Sequence, residues 1–424
     1  MIGVTVLFVL FAGIVFLGYV LTELFYKIKV AVVLPLMLIG LALGPLFHVV
    51  STSSSSTVIV LVPYITALAV AFILFDVGLR IRLKDLNLAY ALRFTFLLSL
   101  ATGTLLGIAI FLATHLGVLL SFAAGFGLAG PSSVVIPAIL RKTRINKSLK
   151  ATLSFESVVV DSVTLIVPII LIEVLALRSV SIGALVSMFE GFFIGSLIIG
   201  VVSAFFWVFI LKAFKEHSEE YSWMLTISMV IATYGISQAL GANGAITVFV
   251  FGVMLANMPE MSAWLKAYTT GIKYVLAHVF RYQREVTFFV STFLFVYIGL
   301  LFQISVQDYL LALVAIGITA LVFYTRTLFL PLIKDLIKNK ERNGPDMLAA
   351  RYSVARGLSP VIVATLPLAF GVYAPPSFVG VLFLSILFTN ALTTIGMYRL
   401  AKAQETKKGE TGSQVHAQLQ EEQK

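Results

Sequence analysis

The sequence predicts an all-α polytopic membrane protein of about thirteen transmembrane helices. They form two inverted six-helix repeats joined by a connector, with helices 5 and 12 broken. Three observations predict this. Apolar runs of roughly 20 residues, the length a helix needs to cross the hydrocarbon core, recur along the chain. Lys and Arg gather in alternate loops, and two apolar runs at corresponding places are interrupted by Gly and Pro. The composition agrees: of 424 residues 59% are hydrophobic and 12% charged, and the mean hydropathy is +1.02. A membrane β-barrel would show short alternating segments instead.

The spans fall at about 3–25, 30–48, 57–79, 88–114, 117–140, 150–176, 181–212, 221–240, 243–258, 285–303, 307–333, 345–370 and 376–400. The first run, Ile2 to Leu24, lacks the basic start of a signal peptide, and Lys27 and Lys29 follow it, so it reads as a span. The stretch 262–282 reads as a basic amphipathic segment at the interface. The polar, Gln/Glu/Lys-rich stretch 401–424 reads as a disordered cytoplasmic tail after a transmembrane domain covering 1–400.

Loop charge tests the count. Loops after odd-numbered spans carry Lys27 and Lys29; Arg80, Arg82 and Lys84; Arg141, Lys142, Arg144, Lys147 and Lys150; Lys215; Lys266, Lys273, Arg281 and Arg284; and Lys338, Lys340 and Arg342. Loops after even-numbered spans carry almost none, with Arg178 the main exception. Cytoplasmic loops are the basic ones, which puts the N-terminus outside and the C-terminus in the cytoplasm of a cell membrane. The net charge of +10 therefore speaks of orientation in lipid, not of nucleic acid. No cysteine is present, which excludes disulfides and thiolate chemistry.

The interrupted spans are the fifth of each half: "GLAGPSSVVIPAIL", with Gly130, Pro131 and Pro137, and "ARGLSPVIVATLP", with Gly357, Pro360 and Pro367. An odd connector between two six-helix halves inverts one against the other. Paired broken helices in inverted repeats point to a transport site at the membrane midplane. Unwinding near Gly130 and Pro131 frees carbonyls and exposes half-helix ends, and Ser132 and Ser133 add hydroxyl oxygens. Ser359 is placed to act similarly in the second break.

Asp161 lies near the centre of span 6, in "SFESVVVDSVTLIVP". A charged carboxylate there costs roughly 2.5–3.5 kcal/mol on insertion scales. It escapes that cost by taking a proton or by holding a cation, and hardly both at once. That competition is the core of an exchanger. Ser157, one helical turn earlier, shares its face and offers a second hard oxygen to a small cation. Glu156 stands about 140° round the helix from Asp161 and needs a partner elsewhere. Two intramembrane arginines are candidates, Arg326 first and Arg356 second, and either pairing is structural. Asp76 lies within reach of Arg80 as an end-of-helix pair. Glu23, Glu173 and Glu190 fall near span ends and read as peripheral. The histidines show no metal spacing. No phosphate loop, nucleotide motif or nucleophile elbow occurs, which leaves no place for a cofactor or an ATP-driven cycle.

The pair "AGPSSVVIP" and "FESVVVDS", separated by a basic loop, resembles spans 5 and 6 of the NhaP-like sodium/proton antiporters in the monovalent cation/proton antiporter superfamily. That family carries Thr-Asp-Pro in the broken helix and Glu-Ser-x-x-Asn-Asp in the next. Here Ala129-Gly130-Pro131 stands for the first motif. Glu156 and Ser157 match the second, Val160 replaces its Asn, and Asp161 matches its ion-binding Asp. "YTRTL" at 324–328 looks like the family's Ala-Arg-Pro-Leu and places Arg326 on its buried arginine. "VARGLSP" at 354–360 looks like its Glu-Gly-Pro-Arg-Gly segment without the Glu and Pro, and "LPLMLIGLALGP" at 34–45 has the same flavour. The resemblance implies a homodimer, with a dimer domain from spans 1–3 and 8–10, a moving core from spans 4–6 and 11–13, and Glu156 paired with Arg326. With Gly130 and Val160 in place of side-chain oxygens, Ser132, Ser133, water or backbone must complete the ion shell.

The expected function is electroneutral exchange of a monovalent cation, Na⁺ ahead of K⁺ or Li⁺, for H⁺, with Asp161 carrying either passenger by alternating access. A K⁺/H⁺ antiporter or K⁺-efflux protein uses the same scaffold. A sodium-coupled organic anion symporter would need a second sodium site, for which no residues stand out. An enzyme such as an intramembrane aspartyl protease would need an Asp partner for Asp161, and none is evident.

Overall fold

The computed structural model describes residues 12–21, 24, 33–49, 57–81, 89–133, 135–141, 143, 145–177, 182–213, 218–264, 270–302, 308–336 and 344–421. Helices occupy each expected span position, and no strand occurs among the described residues. In order they are α1 (Ala12–Leu21), α2 (Val33–Leu41), α3 (Thr57–Leu79), α4 (Ala89–Thr114), α5 (Val118–Gly127), α6 (Val135–Arg141), α7 (Lys147–Ala176), α8 (Ile182–Ala213), α9 (Ser218–Ala239), α10 (Gly244–Trp264), α11 (Thr270–Leu301), α12 (Asp308–Phe329), α13 (Pro345–Tyr352), α14 (Leu358–Ala369) and α15 (Pro376–Glu421). The fifth span is the pair α5 and α6, and the twelfth is the pair α13 and α14. Among the described residues six helices are by themselves long and apolar enough to cross a membrane; shorter apolar helices, the half-helices α5 and α14 among them, fill other span positions.

Local chemistry sets several boundaries. Asn146 caps α7, its side-chain oxygen accepting the Ser148 N–H at 3.0 Å. Pro345 opens α13 and Pro376 opens α15, where a proline's missing N–H is harmless. Gly241, at φ +74°, turns the chain from α9 into α10 in a conformation that favours glycine.

Two expectations change. Residues 270–282 are not a separate interfacial segment but the first turns of α11, with Arg281 and Arg284 exposed; residues 265–269 lie outside the description. The expected disordered tail is helical to Glu421, because α15 continues without a break. Both follow from cooperativity: extending a nucleated helix adds one hydrogen bond per residue fixed. Ala, Lys, Gln and Glu, frequent beyond residue 400, are good helix formers.

The helices sort into two groups by their packing. In one, α2 packs on α11 and α3 on α10, with α9 alongside. In the other, α4, α5 and α7 pack together, and α12 joins α4 to α15. The half-helix α14 lies against α3 and α11 on one side and α5 and α7 on the other. With lipid tails as apolar as leucine, helices in a membrane associate through close packing at small residues. The α2–α11 crossing is made at Gly40 and Gly299: a Cβ on Gly40 would lie 1.9 Å from the Val296 carbonyl oxygen, and one on Gly299 2.2 Å from that of Met37. The α3–α10 crossing is made at Gly78 and Gly252, with corresponding approaches of 2.3 Å to Phe249 and 2.4 Å to Phe75. Inverting the repeats exchanges spans 2 and 9 and spans 3 and 10, so the symmetry maps one crossing onto the other.

A side chain at either crossing must force the backbones apart. Gly252→Val and Gly299→Val are expected to lower the thermal midpoint of the purified protein measurably, at a cost of about 1–3 kcal/mol or more. Gly235→Ala and Gly317→Ala, where a Cβ meets nothing within 4 Å, are expected to leave it unchanged.

Candidate ion-binding site at the crossed helix breaks

The two breaks meet. Between α5 and α6 the chain leaves the helix near Leu128–Ser133; between α13 and α14 it does so over Ser353–Gly357. The Ser132 N–H donates to the Ala355 carbonyl at 2.8 Å, so one unwound strand of backbone bonds the other. Contact is close enough that a Cβ on Gly357 would lie 2.2 Å from Ser132 Oγ. The Arg356 carbonyl is taken by Asn390 Nδ2 of α15 at 2.8 Å. Two carbonyls released by the second break are therefore bound within the protein.

Ser132 also starts α6. Its Oγ accepts the Val135 N–H at 3.2 Å and its carbonyl accepts the Ile136 N–H at 3.1 Å, the pattern of a helix cap. Ser132 and Ser133 are both buried. Pro131 sits in the break itself. Pro137 and Pro360, expected as break residues, are instead the third residues of α6 and α14. A proline in an opening turn removes an N–H that has little or no helical partner to lose, so it is tolerated there.

Gly130 brings the first break against α7. A Cβ there would lie 2.3 Å from Val160 Cγ1 and 2.9 Å from Thr164 Cγ2. These residues are one turn apart on α7, so the unwound peptide runs along the face beside Asp161. The backbone of Asp161 lies in the middle of α7; its side chain lies outside the described residues. Ser157 is fully buried and its hydroxyl donates to the Ser154 carbonyl at 2.8 Å, which leaves the oxygen's lone pairs for a cation.

Glu156 and Arg326 form a fully buried fork. Arg326 Nη1 donates to Glu156 Oε1 at 2.7 Å and Nη2 to Oε2 at 2.9 Å. Arg326 Nε donates to the Ala350 carbonyl at 2.6 Å. One guanidinium thereby ties α7 of the first repeat to α12 and α13 of the second. Arg356 is also buried, at the break, but the Glu156 carboxylate is held by Arg326. Nearby, Thr102 of α4 donates to Thr325 of α12 at 3.3 Å, and Asp346 of α13 accepts the Asn146 N–H at 2.9 Å. Asp76 and Arg80 pair at the end of α3.

Several of these partners escaped the sequence. Asn390 had a visible signal, a lone amide in the apolar run "ILFTNALTT". The Ala355 carbonyl had none, since backbone announces nothing through residue type. Thr164 reads as an ordinary span threonine until Gly130 is seen against it.

Inverted halves, each with a helix unwound at the same place, and unwound segments that bond each other beside an acidic helix, define a membrane transporter of the inverted-repeat class. Residues 9–402 match the family described as "Sodium/hydrogen exchanger, transmembrane", and the chain belongs to that family of transporters. It is 28% identical over 239 residues to "Sodium/hydrogen exchanger 1" of Dictyostelium discoideum; the match covers 54% of this chain and 34% of that one, so the chain spans about a third of that relative's length. Its fold matches the sodium proton antiporter MjNhaP1 of Methanocaldococcus jannaschii. In the structure at pH 8 the TM-score is 0.70 at 17% identity, covering 93% of this chain and 96% of that one. In a second structure, from an electron-microscopy map, the TM-score is 0.67 at 19% identity, covering 92% and 95%.

Removing one partner of a buried ion pair leaves a bare charge. Glu156→Ala is expected to destabilise the purified protein by about 3–5 kcal/mol, read as a fall in thermal midpoint or loss of folded protein. Arg326→Lys, which keeps the charge but loses the fork, is expected to fall between wild type and that variant. Ser132→Ala removes a cap worth about 1 kcal/mol and is expected to cause a smaller fall.

Proposed function

We propose that this protein is a secondary active antiporter that exchanges a monovalent cation, Na⁺ first, for H⁺, one for one. Asp161 carries either passenger, with Ser157 and the oxygens of Ser132 and Ser133 completing the cation's shell. The single observation that carries this reading is the seat of Gly130 against Val160 and Thr164, which sets the break of the fifth span beside the turn of α7 that holds Asp161. Membership of the exchanger family and the likeness in fold to a sodium proton antiporter support it.

The same contact bears on stoichiometry. The resembled family has an acid where Gly130 stands and an amide where Val160 stands. Here those two departures touch, and Val160 fills the space a side chain at 130 would need. One exchangeable carboxylate then serves the site. Ionised Asp161 resists crossing the membrane empty, whereas either loaded form is closer to neutral, and this couples the two fluxes.

In the cycle the group α4–α7 with α12–α15 moves as the core, and α1–α3 with α9–α11 is the dimer-forming scaffold of a homodimer in the cell membrane. The N-terminus faces out and the C-terminus faces the cytoplasm. Glu156 and Arg326 hold the core together and carry no passenger.

The test is pH-gradient-driven uptake in proteoliposomes with Na⁺, Li⁺ and K⁺ in turn. Exchange is expected to persist with the membrane potential clamped and to vanish in Asp161→Asn. A current that scales with flux overturns the one-for-one stoichiometry. Preference for K⁺ overturns Na⁺ as the passenger, and exchange that survives Asp161→Asn overturns the site.

A further inference from the structure

Glu173, near the end of α7, read from the sequence as peripheral, yet its carboxylate accepts a hydrogen bond from Asn243 Nδ2 at 2.9 Å. Asn243 lies between α9 and α10 and is almost wholly enclosed. Its Oδ1 accepts the Ile246 N–H at 2.9 Å and caps α10. Its N–H donates to Ser196 Oγ of α8 at 2.9 Å, and its carbonyl accepts from Ser196 Oγ at 3.1 Å and Thr247 Oγ1 at 2.9 Å. Asn243 is thus a fixed post, fastened by α8 and α10, with one amide hydrogen aimed at α7.

This bond differs from the other described side-chain bonds between helices in where it runs. Gln283 to the Phe72 carbonyl and Asn257 to the Ile81 carbonyl stay within the group of α3, α10 and α11. Arg326 to Glu156, Thr102 to Thr325 and Asp346 to Asn146 stay within the group of α4, α7, α12 and α13. Asn243 to Glu173 passes from one group to the other. At the same boundary α14, mostly apolar in sequence, lies against α3 and α11.

We infer that Glu173 and Asn243 form a latch that holds the end of α7 to the scaffold in one half of the transport cycle and must open in the other. They are positioning residues: they touch no passenger and set which side the site faces. This rests on the proposed antiport by a moving core, and on the orientation that puts this end of α7 outside. With the bond made, the cleft between the groups is shut at its outer end, so the latched form serves the cytoplasmic side.

The absence of cysteine allows a clean test. Glu173→Cys with Asn243→Cys, in the full chain in proteoliposomes, is expected to transport when reduced and to lose at least about tenfold in rate when bridged by oxidation or a short thiol cross-linker, with recovery on reduction. Full transport by the bridged protein overturns the latch. If the double variant is inactive when reduced, Glu173→Ala and Glu173→Gln decide. Alanine removes the bond and frees the outward-facing form. The apparent cation KM is then expected to fall outside and rise inside by about fivefold, the size of shift one hydrogen bond imposes on a two-state balance. Glutamine keeps an acceptor for Asn243 and is expected to stay close to wild type on both sides. Unchanged KM on both sides in Glu173→Ala overturns the proposal. Failure of the antiport reading shows separately, as the absence of cation-for-proton exchange by the unaltered chain in the same proteoliposomes.

Discussion

Backbone that leaves a helix inside a membrane must find its hydrogen bonds among protein groups, because the hydrocarbon offers none. Here the two unwound segments find part of what they need in each other, through the Ser132 N–H and the Ala355 carbonyl. That requirement arranges much of the interior. It demands that both spans break at the same depth and that their breaks cross. It demands a small residue at the crossing, which Gly357 supplies against Ser132, while Gly130 lets the first break lie against α7. It also recruits Asn390 from the last span to hold a carbonyl that the second break releases. The outcome is a patch of fixed backbone dipoles beside an acidic helix, enclosed by protein.

The buried fork of Glu156 and Arg326 does a different job. Burying two charges is costly, and an ion pair in such a place is a weak source of net stability. Its value lies in geometry. The fork reaches from α7 to α12 while Arg326 Nε reaches α13, so the two inverted halves are registered against each other by a planar group with fixed donor directions. A misplaced half would strand a bare charge, which penalises other packings of the same helices.

The architecture was legible because lipid makes strict demands: long apolar runs, alternating basic loops and paired Gly/Pro interruptions are each forced by physics. Proline alone was a poorer guide. Pro63 and Pro168 lie inside continuous helices, and Pro137 and Pro360 lie in opening turns, whereas Pro131 lies in a break. What separates Pro131 is the second break that pairs with it, and pairing across more than 200 residues leaves no local trace. The partner of Glu156 was legible for the opposite reason, since a buried acid must meet one of very few buried bases. The hydrogen bond of Glu173 was not legible, because a position near a helix end says nothing about the capping asparagine between α9 and α10 that donates to it. The continuation of α15 past residue 400 was not legible, because a polar composition alone does not separate an exposed helix from a tail without structure.

The paired glycine crossings of α2 with α11 and α3 with α10 carry a consequence beyond assembly. Where two backbones touch at a glycine, neither helix can shift along the other without first lifting away, and the twofold relation locks the arrangement at two separated points. Four helices pinned this way behave as a stiff plate. Spectroscopic labels on that plate would keep constant mutual distances, and so would serve as the ruler against which displacement elsewhere in the molecule is read.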